Sequence, residues 1–465
     1  MAQSETVSRP FGMRDKMGYF IGNIGNDLTF SLAASYFMVF YSDIMGVSPA
    51  IIGTLFGVAR LVDAFTDLGM GAIADNSPNT KNGKFKPWIK RVALPVGIAS
   101  MLMYNIYIMD WSMTAKIVYM FISYILWGSI AYTAINIPYG SLASVISNDP
   151  AERAQLSTFR SLGSIVTGIL IGIIVPNVIY TTSGEVLPTN FFILSLAMGA
   201  LAAGAYLACY FMVEERVTLP VKEESFNLKE FFADLGVLVK DKGFLGLMLS
   251  TMFVLLGLIS VGQLIQYLYM DYFQNTTYLP IATISMTLGG LAAAPFVGKI
   301  TERFGKKEAG SVALIAGGLV YIVAFFFRID NPLVFALLVL LSSLLQGYYT
   351  MAMYAYVTDV IDDYQVKNND RKDGTIYSVY SFIRKVGQAL AGLIAGSSLT
   401  WIGYQTSQGA QSVVQAPEVQ EGIYSLATLI PGTSYLLAGL VLLFLYPLSK
   451  KRVEENNRVL ESREQ

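Results

Sequence analysis

GAIADNSPNTKNGKFKPW (residues 71–88) and GKITERFGKKEAG (residues 298–310) are two polar loops of one pattern. Each opens on glycine, carries an acid and is rich in lysine. Each follows a long apolar run, and six such runs separate them. That placement implies an internal repeat, a chain of two halves with matching loops. Working outward, twelve apolar segments are long enough to span a bilayer, which takes about 20 residues each. They run roughly over 17–45, 49–74, 88–109, 114–146, 155–180, 190–214, 243–274, 278–300, 308–328, 332–360, 375–403 and 423–448. The expected fold is all-α and integral to the membrane, with twelve transmembrane helices in two six-helix lobes.

Composition narrows the function. Of 465 residues, 54% are hydrophobic and only 14% charged, against about 25% in soluble proteins. The net charge is −1, which argues against a nucleic-acid partner. There is no histidine and a single cysteine, Cys209. Histidine-based catalysis, histidine metal sites and disulfides are therefore excluded. No motif supplies a nucleophile with a base, so the chain does not read as an enzyme, and no cofactor is implied. The polar opening, MAQSETVSRPFGMRDK, lacks the apolar core of a cleavable signal.

The basic residues predict orientation. Of the 32, 26 fall on the side of the two termini and two, Lys116 and Arg328, on the other. Both termini are thus expected in the cytoplasm, in a multi-pass cell-membrane protein. The longest connection is charged and divides the chain: a lobe over 1–214, a connection over 215–242, a second lobe over 243–448 and a tail over 449–465. The remaining basic residues, Arg60, Arg160, Arg384 and Lys385, lie within segments or near their ends.

An ionisable group at mid-bilayer costs several kcal/mol unless paired or hydrated, so it marks function by default. The second segment reads ARLVDAFTDLGMG. Asp63 and Asp67 are four apart and share a helix face, flanked by Arg60 and Thr66. Two such carboxylates share a proton or bind a hard cation such as Na⁺; alternatively, Arg60 neutralises one and the pair merely packs. The first segment adds Asp27 with Asn23 at i−4, able to bind sugar hydroxyls or to pair with Arg160 or Lys385. The fourth, WGSIAYTAINIPYGSL, sets Trp127, Tyr132, Thr133 and Asn136 near Pro138, which frees a carbonyl near Ala134. Such a polar stretch suits a lined cavity, with hydrogen bonds for a sugar and an indole to stack on it, or polar contacts between helices. Arg160 of the fifth segment pairs with Asp27 or a ligand, or snorkels to the surface. Gly168 and Gly172 form a GxxxG packing pattern. On the eleventh, Lys385 shares a polar face with Ser381 and Gln388 and can bridge to Asp63 or Asp67. Glu302 and Arg303, and Asp359, Asp362 and Asp363 with Lys367 and Arg371, read as gate or clamp charges, or as a solvated loop.

At these residues the chain resembles the glycoside–pentoside–hexuronide:cation symporter family of the major facilitator superfamily. The motifs are RLVDAFTDLGMG, NGKFKPW, YTAINIPYGSL and DDYQVKNNDRKDGTIYSVYSFIRKVGQ, spread over nearly the whole chain. The second loop, with Gly298, Glu302, Arg303, Gly305, Lys306 and Lys307, resembles the superfamily's loop signature. The resemblance implies sugar uptake driven by Na⁺, Li⁺ or H⁺. By motif it implies that Asp63, Asp67 and Thr133 are cation-site positions. Asp27, Arg160 and Asn136 match sugar-contact positions, and Lys385 a lysine near both. Thr66 and Asn136 depart from the melibiose carriers, which have an asparagine and an aspartate there. These departures admit H⁺ as the ion and point to another sugar.

The expected activity is secondary active transport by alternating access, with a sugar or glycoside and H⁺ or Na⁺ carried together. A lipid or lysolipid transporter of the same fold is the rival reading, and the polar density of the first, fourth and fifth segments argues against it. A transporter-like sensor would need a soluble output domain, for which the short loops leave no room.

Overall fold

The computed structural model describes residues 9–182, 184–217, 235–369, 371, 373–407 and 413–464. Most of the expected central connection, with Lys222 and Lys229, lies outside them, as does Lys372. The described residues are helical, with no strand among them. That is what a bilayer demands, since a helix satisfies its own backbone where no water can.

In chain order the helices are α1 (Met13–Val39), α2 (Pro49–Asp75), α3 (Lys86–Met103), α4 (Met113–Ile125), α5 (Thr133–Ile146), α6 (Pro150–Ile179), α7 (Pro188–Met212), α8 (Lys242–Tyr267), α9 (Leu279–Ala292), α10 (Ala294–Phe304), α11 (Lys306–Phe327), α12 (Pro332–Asn368), α13 (Asp373–Trp401), α14 (Pro417–Phe444) and α15 (Lys450–Glu464). Wider π-turns extend α1 over Phe40–Ile44, join α4 to α5 over Leu126–Tyr132, and extend α8 over Leu268–Tyr272. The α9–α10 pair is one rod bent by 45°. Twelve rods result, six in each half, in the order the sequence implies. Eight are long and apolar enough to cross a membrane, or nine with the bent pair. The other three, α1, α2 and α13, carry Asp27, Asp63, Asp67 and Lys385.

Helix ends follow local chemistry. Proline opens α2, α6, α7, α12 and α14, where its missing N–H costs nothing. Asp149, Asp241 and Asn331 cap helices with their side chains. α12 runs on to Asn368, eight residues past the expected 360, and its polar last turns are held by the ion pairs of Asp362 with Arg371 and Asp363 with Lys367. α15 is a further helix in the tail.

The two repeated loops are built around glycines at positive φ, where a side chain would be strained. Gly83 has φ +99°, and a Cβ there would meet the Glu215 carboxylate at 2.3 Å. That carboxylate accepts the N–H groups of Lys84, Phe85 and Lys86 at 2.7, 2.9 and 2.7 Å. It thereby caps the positive end of α3. Gly305, at φ +93°, turns the chain between α10 and α11, with Glu308 and Lys450 close beside it. Gly298, by contrast, has open space around it.

The halves meet from mid-height toward the face opposite the termini, here the far face. Gly53 of α2 lies against Gly392 and Gly396 of α13, while Gly168 and Gly172 of α6 lie against Thr287 and Thr283 of α9. Small residues let backbones approach where packing alone drives association. At the far end Tyr404 donates to Asp43 at 2.7 Å, Ser407 to the Asp43 carbonyl at 2.6 Å, and Ser42 and Tyr267 share a hydrogen bond of 2.8 Å. On the terminal side each half keeps its own ion pairs: Asp15 with Arg9 and Arg216, Asp359 with Lys306, and Asp363 with Lys367. Among the described residues, the hydrogen bonds and ion pairs that join the halves lie from mid-height to the far face.

A Cβ on Gly396 would lie 2.2 Å from the Pro49 carbonyl oxygen. G396V is therefore expected to hold the far face apart. Spin labels at the far ends of α2 and α13 should report a longer mean separation than in the parent protein; an unchanged separation would show that the seal does not depend on this contact.

Candidate functional site

The second rod brings Asp63 and Asp67 to the interface at mid-height, as their spacing requires. Every oxygen of the two carboxylates is engaged. Asp63 accepts from Ser129 at 2.5 Å and from Arg60 at 3.0 Å. Asp67 accepts from Thr133 at 2.8 Å and from Lys385 of the other half. Lys385 also donates to the Asp63 carbonyl at 2.6 Å. Both expected partnerships of the pair are thus present: Arg60 holds one acid and Lys385 the other. Thr66 turns back to its own helix, its hydroxyl 3.4 Å from the Asp63 carbonyl. The lysine ammonium thus arrives at Asp67 and the Asp63 carbonyl, and the hydroxyls of Ser129 and Thr133 hold other oxygens of the pair.

The π-turn before Thr133 sets this geometry. Pro138 lies inside α5, and the turn over Leu126–Tyr132 absorbs the register change. It presents Ser129 and Thr133 to α2 and Tyr132 to α1. π-turns of this kind recur at functional sites.

A second cluster lies on α1. Asn23 donates to Asp27 at 2.9 Å and to Ser164 at 2.8 Å. Asn26 donates to Asp27 at 3.1 Å and to the Tyr132 hydroxyl at 3.0 Å, and accepts from Tyr206 at 2.9 Å. Arg160 donates to Asn23 at 3.3 Å and lies over the Tyr139 ring. Asp27 and Arg160 are therefore linked through Asn23 rather than by a direct ion pair. Asn136 and Gln388 are half-buried and make no hydrogen bond among the described residues. Trp127 is 1% exposed, packed by Tyr124 and Tyr132, so its ring offers no open face in this conformation.

The charges expected to gate lie within the second half. Asp359 pairs with Lys306, and Asp362 with Arg371. Asp363 joins Lys367, Arg452 and Asn456, which ties α15 to α12. The carbonyls of Glu302 and Arg303 accept from Lys450, and the Arg303 guanidinium lies over Phe304. In this conformation these contacts brace one half and do not cross to the other.

Sequence reasoning passed over Ser129, Asn26 and Ser164. Ser129 is four residues before Thr133, a spacing that signals a shared face. Asn26 adjoins Asp27, but its reach to Tyr132 and Tyr206 belongs to three-dimensional packing. The far-face seal on Asp43 carried no pattern of its own.

The chain belongs to the MFS/sugar transport protein family, whose model matches residues 18–450. Within it, the chain is one of the glycoside–pentoside–hexuronide symporters. It is 28% identical over 451 residues to the glucuronide carrier protein homolog of Escherichia coli (strain K12), covering 97% of this chain and 95% of the relative. It is 29% identical to a putative glycoside/cation symporter of the same organism, covering 96% and 95%. The isoprimeverose transporter of Lactiplantibacillus pentosus is 27% identical, with 95% and 92% covered. Among solved structures the D-xylose-proton symporter matches at TM-score 0.66 and 13% identity, over 94% of this chain and 98% of that one. That likeness establishes the fold.

S129A leaves an oxygen of Asp63, a residue 6% exposed, without a donor. A lost partner of a buried polar group costs about 1–3 kcal/mol. The purified variant is expected to melt at a lower temperature than the parent protein; an equal midpoint would mean that the hydrogen bond contributes nothing there.

Proposed function

We infer that this protein carries a sugar or glycoside across the membrane in symport with a cation, H⁺ or Na⁺, by alternating access. The relatives that lead to this reading are named for glucuronides, for glycosides with a cation and for isoprimeverose. The lipid reading has no support among the relatives named above. The family is one of transport proteins, which supports a carrier rather than an enzyme. The basic-residue bias of the loops supports cytoplasmic termini, which makes the conformation described here inward-open.

One observation carries the mechanism: a lysine of the second lobe sits on the carboxylate pair of the first. We propose Asp63 and Asp67 as the cation site, with the hydroxyls of Thr133 and Ser129 as neutral ligands. Lys385 and Arg60 then balance the acids while no coupling ion is bound, which lets the empty carrier change state. An arriving cation or proton takes over that task and releases Lys385. The neighbouring Asp27, Asn23, Tyr132, Asn136, Arg160, Lys385 and Gln388 form the sugar site. In this reading Thr66 and Trp127 support the two sites from behind. Asp359, Asp362, Asp363, Glu302 and Arg303 form the terminal-face clamp of the outward-open state. With Lys385 shared between the two proposed sites, ion and sugar are expected to raise each other's affinity by the same factor.

The test is uptake of labelled disaccharides and glycosides into vesicles under an imposed Na⁺ gradient, then under a pH gradient. One of the two should drive accumulation. D67C is expected to lose uphill uptake; accumulation at the parent level would remove Asp67 from the coupling site.

A further inference from the structure

The charges at the middle of the interface do not balance. Four cations, Arg60, Arg160, Arg384 and Lys385, stand against three carboxylates, Asp27, Asp63 and Asp67. Arg60 is spent on Asp63 and Lys385 on Asp67. The oxygens of Asp27 accept from Asn23 and Asn26. Arg160 is left with neutral contacts: the Asn23 oxygen at 3.3 Å, the Tyr19 hydroxyl and the Tyr139 ring. Asp27 acts on it electrostatically, with no ion pair between them. Arg384 makes no ion pair or hydrogen bond among the described residues, and its Nε is buried without a partner. The Tyr380 hydroxyl, beside Thr251, lies within electrostatic reach of Arg384.

Arg160 and Arg384 come from opposite halves, yet both act electrostatically on one group, the Tyr377 hydroxyl. Tyr377 stacks on Tyr354, and the two are 45% and 54% exposed. Both guanidiniums thus lie within electrostatic reach of one half-exposed hydroxyl. A guanidinium held away from bulk water without an anion is unfavourable, and a buried donor without an acceptor calls for one. The partner that meets both needs is an anion with several acceptor oxygens, which guanidinium groups bind in fork geometry. A neutral sugar would leave the positive excess in place, and a bound coupling cation would enlarge it.

We propose that the cargo is an anionic glycoside, its carboxylate or sulfonate held between Arg160 and Arg384 with the hydroxyls of Tyr377 and Tyr380. This rests on the symporter reading above and adds the charge of the substrate. Cargo of this kind also supplies a reason for the halves to close. The anion draws the two arginines toward each other, and the positive charge that otherwise keeps the lobes apart is cancelled.

The experiment is uptake into vesicles of three matched compounds, a phenyl glucuronide, the sulfonated glucoside and the neutral phenyl glucoside, each under a Na⁺ and a pH gradient. An anion should be taken up at least about tenfold faster than the neutral glucoside. Whichever anion leads identifies the group, carboxylate or sulfonate. R384Q should bring the anion-to-neutral ratio toward one, and R384K, which keeps the charge, should hold it well above one. Neutral uptake equal to or above that of both anions in the parent protein would overturn the proposal and leave the symporter reading standing. Failure of all three compounds under both gradients would overturn both. If R384Q does not reach the membrane, the parent ratio and R384K decide.

Discussion

The contact between Lys385 and the Asp63/Asp67 pair is the constraint on which the rest of the structure turns. A buried carboxylate pair cannot stand uncompensated in a low-dielectric layer. The first half carries its own arginine for one acid and depends on the second half for the other. The two halves are thereby joined at mid-height by a charge that, in the proposed mechanism, an incoming cation replaces. Everything that lets the lobes meet on the far side of that point, the paired glycines of α2 and α13 and the hydrogen bonds around Asp43, serves one conformation of this joint.

The terminal side shows the complementary logic. There the ion pairs stay within a half, so each lobe is braced as a rigid body while the gap between them opens. Glu215 capping α3 and Lys450 reaching the α10 end fasten the repeated loops to the chain that follows each lobe. The proposed rocking cycle needs stiff bodies and a replaceable joint, and the distribution of charge is suited to both.

Much of this was legible beforehand. The i,i+4 spacing of Asp63 and Asp67 put them on one face, the face where they lie. Lys385 was expected to reach them, because few cations are available in the second half. The twelve apolar runs were visible because lipid imposes a long apolar signature. Other features were not. Ser129 and Asn26 looked like ordinary polar residues in apolar runs, since their partners are fixed by a π-turn and by helix packing. The gate charges read as a clamp or as a solvated loop, and packing placed them in ion pairs inside one half. Trp127 looked available for stacking, and burial removed its face.

What the sequence alone determined is the class of fold and the inventory of charge. A bilayer admits closed hydrogen-bonded helices, and each ionisable residue within one stands out against the apolar run. What tertiary structure alone decided is which charge meets which. Asp67 and Lys385 are 318 positions apart, and no local pattern encodes their contact. Gly83 and Gly305 in the repeated loops mark the same division. Their sequence announced a repeat, but the left-handed turns and the carboxylate that fills one of them follow from how the chain folds back on itself.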